Sequence, residues 1–94
     1  MNLVFDDQAI ADLEGIYRWI AQDSPAAAKN VLERLFGSIE LLVSFPGMGH
    51  AGHVSGTFEW VVPRLPYIVV YEIDEPGERV IINAVFHGAQ SRED

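Results

Sequence analysis

The apolar residues of this 94-residue chain change their spacing once, near the middle. In the first half they recur every three or four residues, which is the period of a helix face. After Gly56 they alternate every second residue, which is the period of a strand. The segment between, from Phe45 to Gly56, holds four glycines and one proline and is predicted to be a loop. A chain of this length forms one domain, so both kinds of element must share one core over residues 1–94.

A short strand and two helices are predicted ahead of that loop. Residues 2–5 are apolar and form the strand, after which Asp6 offers a capping carboxylate for a helix that runs to about Ala21. Ser24 caps a second helix, with Pro25 at its first position, and this helix runs to about residue 44. Because the link between the helices is so short, they should form an antiparallel hairpin.

Three residues depart from the helix pattern. Gly15 lies inside the first helix and costs roughly 1 kcal/mol relative to alanine, and a close helix–helix contact is one reason for a glycine there. Trp19 and Phe36 fall off the main apolar stripes of their helices. They either cover the seam between the helices or anchor a partner protein, since aromatic side chains are enriched at interface hot spots.

Three strands are predicted after the loop, at 57–62, 67–74 and 79–87, with the last two joined by a hairpin turn. The fold class is therefore α+β, with the order β-α-α-β-β-β and an antiparallel sheet packed against the N-terminal helical hairpin. Both faces of the strand at 67–74 are apolar, and the helices can cover only one. We expect the face rich in tyrosine and valine to need another cover, such as a partner chain.

The charge balance is strongly acidic throughout the chain. Six Lys and Arg against fourteen Asp and Glu give a net charge of −8, shared equally by the two halves. This disfavours strong direct binding to nucleic acid, which calls for a basic stripe. There is no cysteine, signal peptide or membrane-spanning stretch, so we expect a cytoplasmic protein that does not contact membranes and needs no cofactor. His50 and His53 form an H-x-x-H in the loop, which is too few ligands to predict a metal site.

Several short segments follow one another in order along nearly the whole chain. They are Ala9-Ile10-Ala11-Asp12-Leu13, Ile16-Tyr17-x-x-Ile20, Ser24-Pro25-Ala26-Ala27-Ala28, Ser38-Ile39-x-x-Leu42, Phe45-Pro46-Gly47-Met48-Gly49, Gly56-Thr57-x-Glu59, Pro66-Tyr67-Ile68-Val69-Val70-Tyr71 and His87-Gly88-Ala89. Together they resemble the RelE/ParE superfamily of toxins from type II toxin–antitoxin modules, and more closely its ParE side. The resemblance implies a small bacterial toxin, one domain over residues 1–94, that a cognate antitoxin wraps and neutralises.

The resemblance also implies a choice of target. ParE-type toxins poison DNA gyrase and serve plasmid stabilisation, whereas RelE-type toxins cleave mRNA in the ribosomal A site with clustered basic residues. The sheet region here offers only Arg64, Arg79 and Arg92, with His87 as a proton carrier, and that set is poor for stabilising a cleaved phosphate. Gyrase binding without catalysis is therefore the leading hypothesis. The alternatives are a RelE-type endoribonuclease using His87 and Arg92, and an inactive relative kept as an interaction module.

Candidate residues for binding the target or the antitoxin come from both halves of the chain: Trp19, Phe36, Arg64, Tyr67, Tyr71, His87 and Arg92. Arg64 is a fixed cation for the target or antitoxin, a solvated loop arginine, or a partner for Glu59. His87 either borders a binding groove or is held by backbone at a strand end. The two tyrosines belong to the core or to an antitoxin groove. ParE relatives often carry a basic residue directly after His-Gly-Ala, where this chain has Gln90.

Overall fold

The computed structural model describes residues 1–89, so the last five residues, Arg92 among them, lie outside the described part. Its elements in chain order are β1 (Asn2–Phe5), α1 (Asp7–Ala21), α2 (Pro25–Ser44), a short 3-10 helix (Pro46–Met48), β2 (His50–Ala51), β3 (Phe58–Val61), β4 (Tyr67–Asp74) and β5 (Arg79–His87). The predicted α+β fold, with its two helices and four strands, is confirmed. The two-residue β2 is additional and lies in the segment predicted to be a loop.

The five strands form one mixed sheet in the order β1-β5-β4-β3-β2. The last three strands make the predicted antiparallel meander, and β2 adds to its free edge beside β3. β1 pairs with β5 in the parallel sense, with Leu3 opposite Val80 and Phe5 opposite Ile82. The N-terminal strand therefore closes the other edge of the sheet, but only along the first half of β5.

The two helices cover the face of the sheet that carries Tyr67, Val69 and Tyr71. These side chains share a buried core with Leu35 and other α2 residues. The prediction that the tyrosine- and valine-rich face is left open is therefore wrong. The opposite face is the one the helices leave, and it carries mostly aliphatic side chains: Val4, Ile68, Val70, Ile81, Ala84 and Phe86.

A β-bulge in β5 explains how its residues divide between the two faces. Two consecutive residues of β4 oppose Ala84 and Ile82, which leaves Asn83 as an extra residue. The extra residue reverses the alternation of side chains along the strand. Val85 therefore joins Ile82 in the core, while Phe86 turns to the other face. Strict alternation along the strand would put Ile82, Ala84 and Phe86 on one face, and the bulge separates Ile82 from the other two.

Tyr71 ties the end of the helical hairpin to the sheet. Its side chain is fully buried. The hydroxyl donates a hydrogen bond to the Pro46 carbonyl at 2.7 Å and accepts one from the Gly49 N–H at 2.9 Å. Burial raises the pKa of this phenol, and the Gly49 N–H partly offsets that rise. A Cβ at position 49 would lie 2.6 Å from the Tyr71 hydroxyl oxygen, so only glycine fits there without rearrangement.

No helix within residues 1–89 could span a membrane. Neither α1 nor α2 combines the length and apolar character that crossing a bilayer requires.

Candidate functional site

A cleft of about 420 Å³ lies between α1 and the second half of β5, where β1 no longer covers the strand. Its helix wall includes Ala11, Gly15 and Trp19, which follow one another at four-residue steps on one face of α1. A Cβ at Gly15 would meet nothing within 4 Å. The expected close helix–helix contact at Gly15 is therefore wrong, and the missing side chain instead widens the cleft.

One end of the cleft is aromatic. Trp19 is 72% exposed although it is one of the largest apolar side chains of the protein. Tyr67 and His87 meet edge to face with ring centroids 5.6 Å apart, and both line the cleft with Trp19. Burial raises the pKa of Tyr67. His87 Nδ1 accepts a hydrogen bond from the Ala89 N–H at 3.0 Å. Three of the predicted binding residues are thus brought together from three distant parts of the chain.

Within the described residues the cleft contains one carboxylate, that of Asp12. Asp12 accepts a hydrogen bond from the Val85 N–H at 2.9 Å through one carboxylate oxygen. Its other oxygen accepts one from the side-chain amide of Gln8 at 2.7 Å. This carboxylate satisfies the backbone of β5 just past the point where β1 ends, which is one way in which proteins protect a strand edge.

Two other carboxylates meet Asn83, which lies two residues before Val85 on β5 and outside the residues that line the cleft. The amide nitrogen of Asn83 donates to Asp6 and to Glu72, in each case at 2.8 Å. Asp6 therefore makes no side-chain cap at the start of α1, contrary to the sequence prediction. The carbonyl oxygen of Asn83 is buried and has no hydrogen-bond partner. Two carboxylates and an unused acceptor thus converge at the bulge.

A separate apolar groove of about 340 Å³ runs between the two helices. Phe36, 42% exposed, packs edge to face on Phe5 with ring centroids 5.9 Å apart, and both line the groove. Ile10 and Tyr17 of α1 form the opposite wall. Phe36 and Trp19, which the sequence placed together as interface candidates, therefore belong to two different surfaces.

Arg64 lies in the turn between β3 and β4 with a backbone φ of +65°, a conformation that non-glycine residues seldom adopt. The Arg34 side chain reaches the Arg64 carbonyl at 3.4 Å. Within residues 1–89 the ion pair between Arg79 and Asp74 is the only one, so Arg64 does not pair with Glu59. Glu59 is instead 8% exposed, with one carboxylate oxygen lacking a partner.

The described cations of the sheet do not cluster. Arg64 precedes β4 and Arg79 begins β5 beside the far end of β4. At about 3.4 Å per residue, an eight-residue strand separates them by roughly 20 Å or more. His87 lies near the Arg64 end because it pairs with Tyr67. Arg92, the remaining candidate, falls outside the described residues.

The other predicted candidates lie apart from the cleft. Tyr71 is in the core, with its hydroxyl occupied, and presents nothing to a partner. His50 in β2 and His53 after it are both exposed. No group of three or more metal-ligating side chains occurs within the described range.

Sequence reasoning missed the carboxylate of this cleft. Asp12 lies there because α1 packs beside Val85, beyond the point where β1 ends, and neither feature has a clear sequence signal. Gly15 did carry a signal, since a glycine inside a helix costs stability. From the sequence it was expected to contact another helix, whereas in the structure it lines the cleft.

Comparison with known proteins places this geometry in a family. The family model described as the ParE toxin of the type II toxin–antitoxin system parDE matches residues 3–92. A curated relative from Sinorhizobium fredii, "Putative toxin Y4kP", is 32% identical over 83 residues, which span 88% of this chain and 83% of the relative.

Solved structures share the fold. A chain of the chromosomal ParDE system from P. aeruginosa is 22% identical, with a TM-score of 0.80 over 93% of this chain and 95% of its own. A chain of the RelBE2 toxin–antitoxin complex from Mycobacterium tuberculosis is 27% identical, with a TM-score of 0.60 over 92% and 95% of the two chains. With the match of the family model over nearly its whole length, the chain belongs to the ParE family, within the ParE/RelE superfamily of type II toxins.

Proposed function

We propose that this ParE-family toxin acts by binding a protein target, DNA gyrase, and that a cognate antitoxin neutralises it. The observation that carries the choice against RNA cleavage is the placement of the cations. Arg64 and Arg79 stand at opposite ends of β4, and Arg79 is paired with Asp74 at 2.7 Å. Cleaving a phosphodiester without a metal needs several cations around one phosphate.

The charge of the whole protein supports the same choice. A net charge of −8 repels the phosphate backbone of RNA and slows approach to the ribosome. A toxin that only binds its target needs a surface and no catalytic centre. The exposed Trp19 and the half-exposed Phe36 supply aromatic anchors for such a surface.

A similar solved structure supports the proposal of a cognate antitoxin. The similar M. tuberculosis chain comes from a toxin–antitoxin complex. The acidic surface of this chain suits a partner segment rich in lysine and arginine.

Three assays separate the candidate functions. Expressing the chain alone should arrest growth of a bacterial host, and co-expressing the small reading frame adjacent to its gene should restore growth. Purified folded protein should inhibit supercoiling by gyrase and leave mRNA intact in an in vitro translation reaction. If mRNA is cut instead, and substituting His87 and Arg92 by alanine abolishes the cut, the nuclease function replaces the proposed one. Normal growth without antitoxin would indicate an inactive interaction module.

A further inference from the structure

We infer that Arg34 and Arg64 together bind an acidic segment of the protein target, and that exposed apolar side chains at the end of α2 contact the apolar residues of that segment. The two arginines meet where α2 passes the turn between β3 and β4. This inference rests on the proposed function for the identity of the partner. The chemistry of the segment is argued from the surface itself.

Arg64 occupies a turn position that favours glycine. The Leu65 N–H bonds to the Val62 carbonyl at 3.3 Å and closes a four-residue turn, in which Arg64 is the third residue. Its φ of +65° is the left-handed conformation that glycine or asparagine usually adopts at the third position of a type II turn. Another side chain there strains the backbone, and strained residues concentrate at sites that contact ligands. The arginine weakens the turn in which it stands, which indicates a role outside the turn.

A second arginine reaches the same turn from α2. The Arg34 guanidinium donates to the Arg64 carbonyl at 3.4 Å, so its charge lies beside the backbone from which the Arg64 side chain extends. Both residues are exposed, and within residues 1–89 no carboxylate lies within ion-pair distance of either. Two like charges held together repel each other, and an anion that contacts both relieves the repulsion. A carboxylate is suited to this place because guanidinium groups bind it through paired hydrogen bonds.

Exposed apolar side chains continue this surface along α2. Leu41 lies seven residues after Arg34, which is two helical turns and about 10 Å along the same face. Phe45 follows one turn later, and its N–H still bonds to the Leu41 carbonyl at 2.8 Å. Both apolar side chains are exposed, Leu41 at 47% and Phe45 at 59%. An extended segment covers about 10 Å in three residues, so an acidic residue at the arginines brings an apolar residue to Leu41.

The surroundings favour a protein segment over a nucleic acid. A nucleic acid strand carries a phosphate at every nucleotide and would meet Glu33 and Glu40, which are exposed on the adjoining face of α2. His87, the proton carrier that RNA cleavage would use, lines the α1–β5 cleft, whose described lining includes no residue of α2. A carboxylate followed by apolar side chains matches a surface with one cationic and one apolar region.

Two substitutions remove the cations in different ways. Arg64→Gly also relieves the backbone strain, so it should raise Tm while it weakens binding. Arg34→Gln keeps a donor for the Arg64 carbonyl but removes the charge. The matched control is Arg18→Gln, which makes the same change of charge at an exposed arginine of α1 that has no ion pair within the described residues. A general effect of charge would appear in all three variants, whereas a site at the turn affects only the first two.

The probe is the acetylated, amidated peptide Asp-Asp-Ser-Leu-Leu-Ser, with Asn-Asn-Ser-Leu-Leu-Ser as its uncharged twin. In NMR titrations of isotope-labelled protein, the aspartate peptide should shift the signals of the Leu65 N–H and of the Arg34 and Arg64 Nε–H groups. Wild type and Arg18→Gln should bind it with similar affinity, at a Kd of about 1 mM or below. Arg34→Gln and Arg64→Gly should bind it at least about fivefold more weakly, because each lacks one charged donor. The asparagine twin should leave these signals unchanged.

Equal binding of the aspartate peptide by wild type, Arg34→Gln and Arg64→Gly would place it elsewhere, as would equal binding of the asparagine twin. No binding to folded wild type up to about 5 mM would also reject the site. Binding of inorganic phosphate without binding of the peptide would assign the arginines to a phosphate ligand and overturn the inference. A Tm of Arg64→Gly below that of wild type would refute the strain argument.

The titrations are independent of the toxin assays. Under the proposed function, Arg64→Gly should arrest growth less than wild type although its fold is more stable. If wild type and Arg64→Gly arrest growth equally, the proposed function stands and the two arginines are not the target site. If wild type inhibits neither growth nor gyrase, the proposed function fails, and the titrations still decide whether the arginines bind an acidic segment.

Discussion

Replacing Tyr71 by phenylalanine tests whether one hydroxyl group holds the end of the helical hairpin to the sheet. The substitution keeps the ring in the core and its stacking on Phe58 at 5.5 Å, but removes the bonds to Pro46 and Gly49. Each lost bond costs about 1 kcal/mol net, and more where the partner group stays dry. We therefore expect a loss of about 2–4 kcal/mol in the free energy of unfolding, which lowers Tm by at least about 8 °C.

The assay is urea unfolding followed by tryptophan fluorescence, with Tyr67→Phe as the matched control. The Tyr67 hydroxyl makes no hydrogen bond within the described chain, so its removal should change the free energy by less than about 0.5 kcal/mol. If Tyr71→Phe loses no more than this control, the argument for a structural hydroxyl is refuted. Gly49→Ala gives an independent check, since its Cβ would collide with the same hydroxyl and should also destabilise the fold.

The pH dependence of stability supplies a second measurement on the same residue. Burial raises the folded-state pKa of Tyr71 above its ordinary value of 10.0. The unfolded state therefore loses its proton first as the pH rises. The stability that the neutral phenol contributes is complete below about pH 10 and is lost as the pH rises through the higher folded-state pKa. Tyr71→Phe should lack this part of the alkaline loss, and an unchanged alkaline profile would contradict the burial argument.

Three further predictions concern helix propensity, acid stability and the core. Gly15→Ala and Gly37→Ala should each raise the free energy of unfolding by about 1 kcal/mol, seen as a higher Tm. A lower Tm for Gly15→Ala would mean that another side chain of the protein occupies the space beside Gly15. The hydrogen bond from Arg79, with that from Gly77, lowers the pKa of Asp74. In urea unfolding, any excess stability of the wild type over Asp74→Asn should therefore be present at about pH 7 and vanish as the pH falls through the lowered folded-state pKa of Asp74. An excess that persists at about pH 2 would refute this. Leu35→Ala should cost about 2–5 kcal/mol in chemical unfolding, against under about 1 for the half-exposed Leu41→Ala.

The fold could be predicted from the sequence because its signals are local. The period of the apolar residues located both helices, and Ser24 caps α2 through the Ala27 N–H as expected. The hairpin turn after Asp74 also followed from its residues. The pairing of β1 with β5 was beyond such reasoning, since it joins residues separated by almost the whole chain.

The candidate site was predictable only at its aromatic end. Trp19, Tyr67 and His87 stood out as residue types, whereas their neighbourhood depends on the packing of α1 against β5. The position of Asp12 beside Val85 depends on where β1 ends along β5, which a period-2 pattern cannot show. The covered face was assigned wrongly because both faces of β4 are apolar, so the pattern alone does not say which one the helices take. In the structure the Pro46 carbonyl and the Gly49 N–H satisfy the Tyr71 hydroxyl within the core.

The parallel pairing of β1 with β5 has a consequence for how the protein is made. β5 lies next to the edge strand β1 in the sheet, although β1 is the first of the five strands to be synthesised and β5 is the last. Contacts of such long sequence separation form late, because the intervening chain must be ordered first. Neither the sheet nor the cleft can be complete in a nascent chain that lacks β5. The cleft thus forms only after β5 has been translated and has paired with β1 and β4.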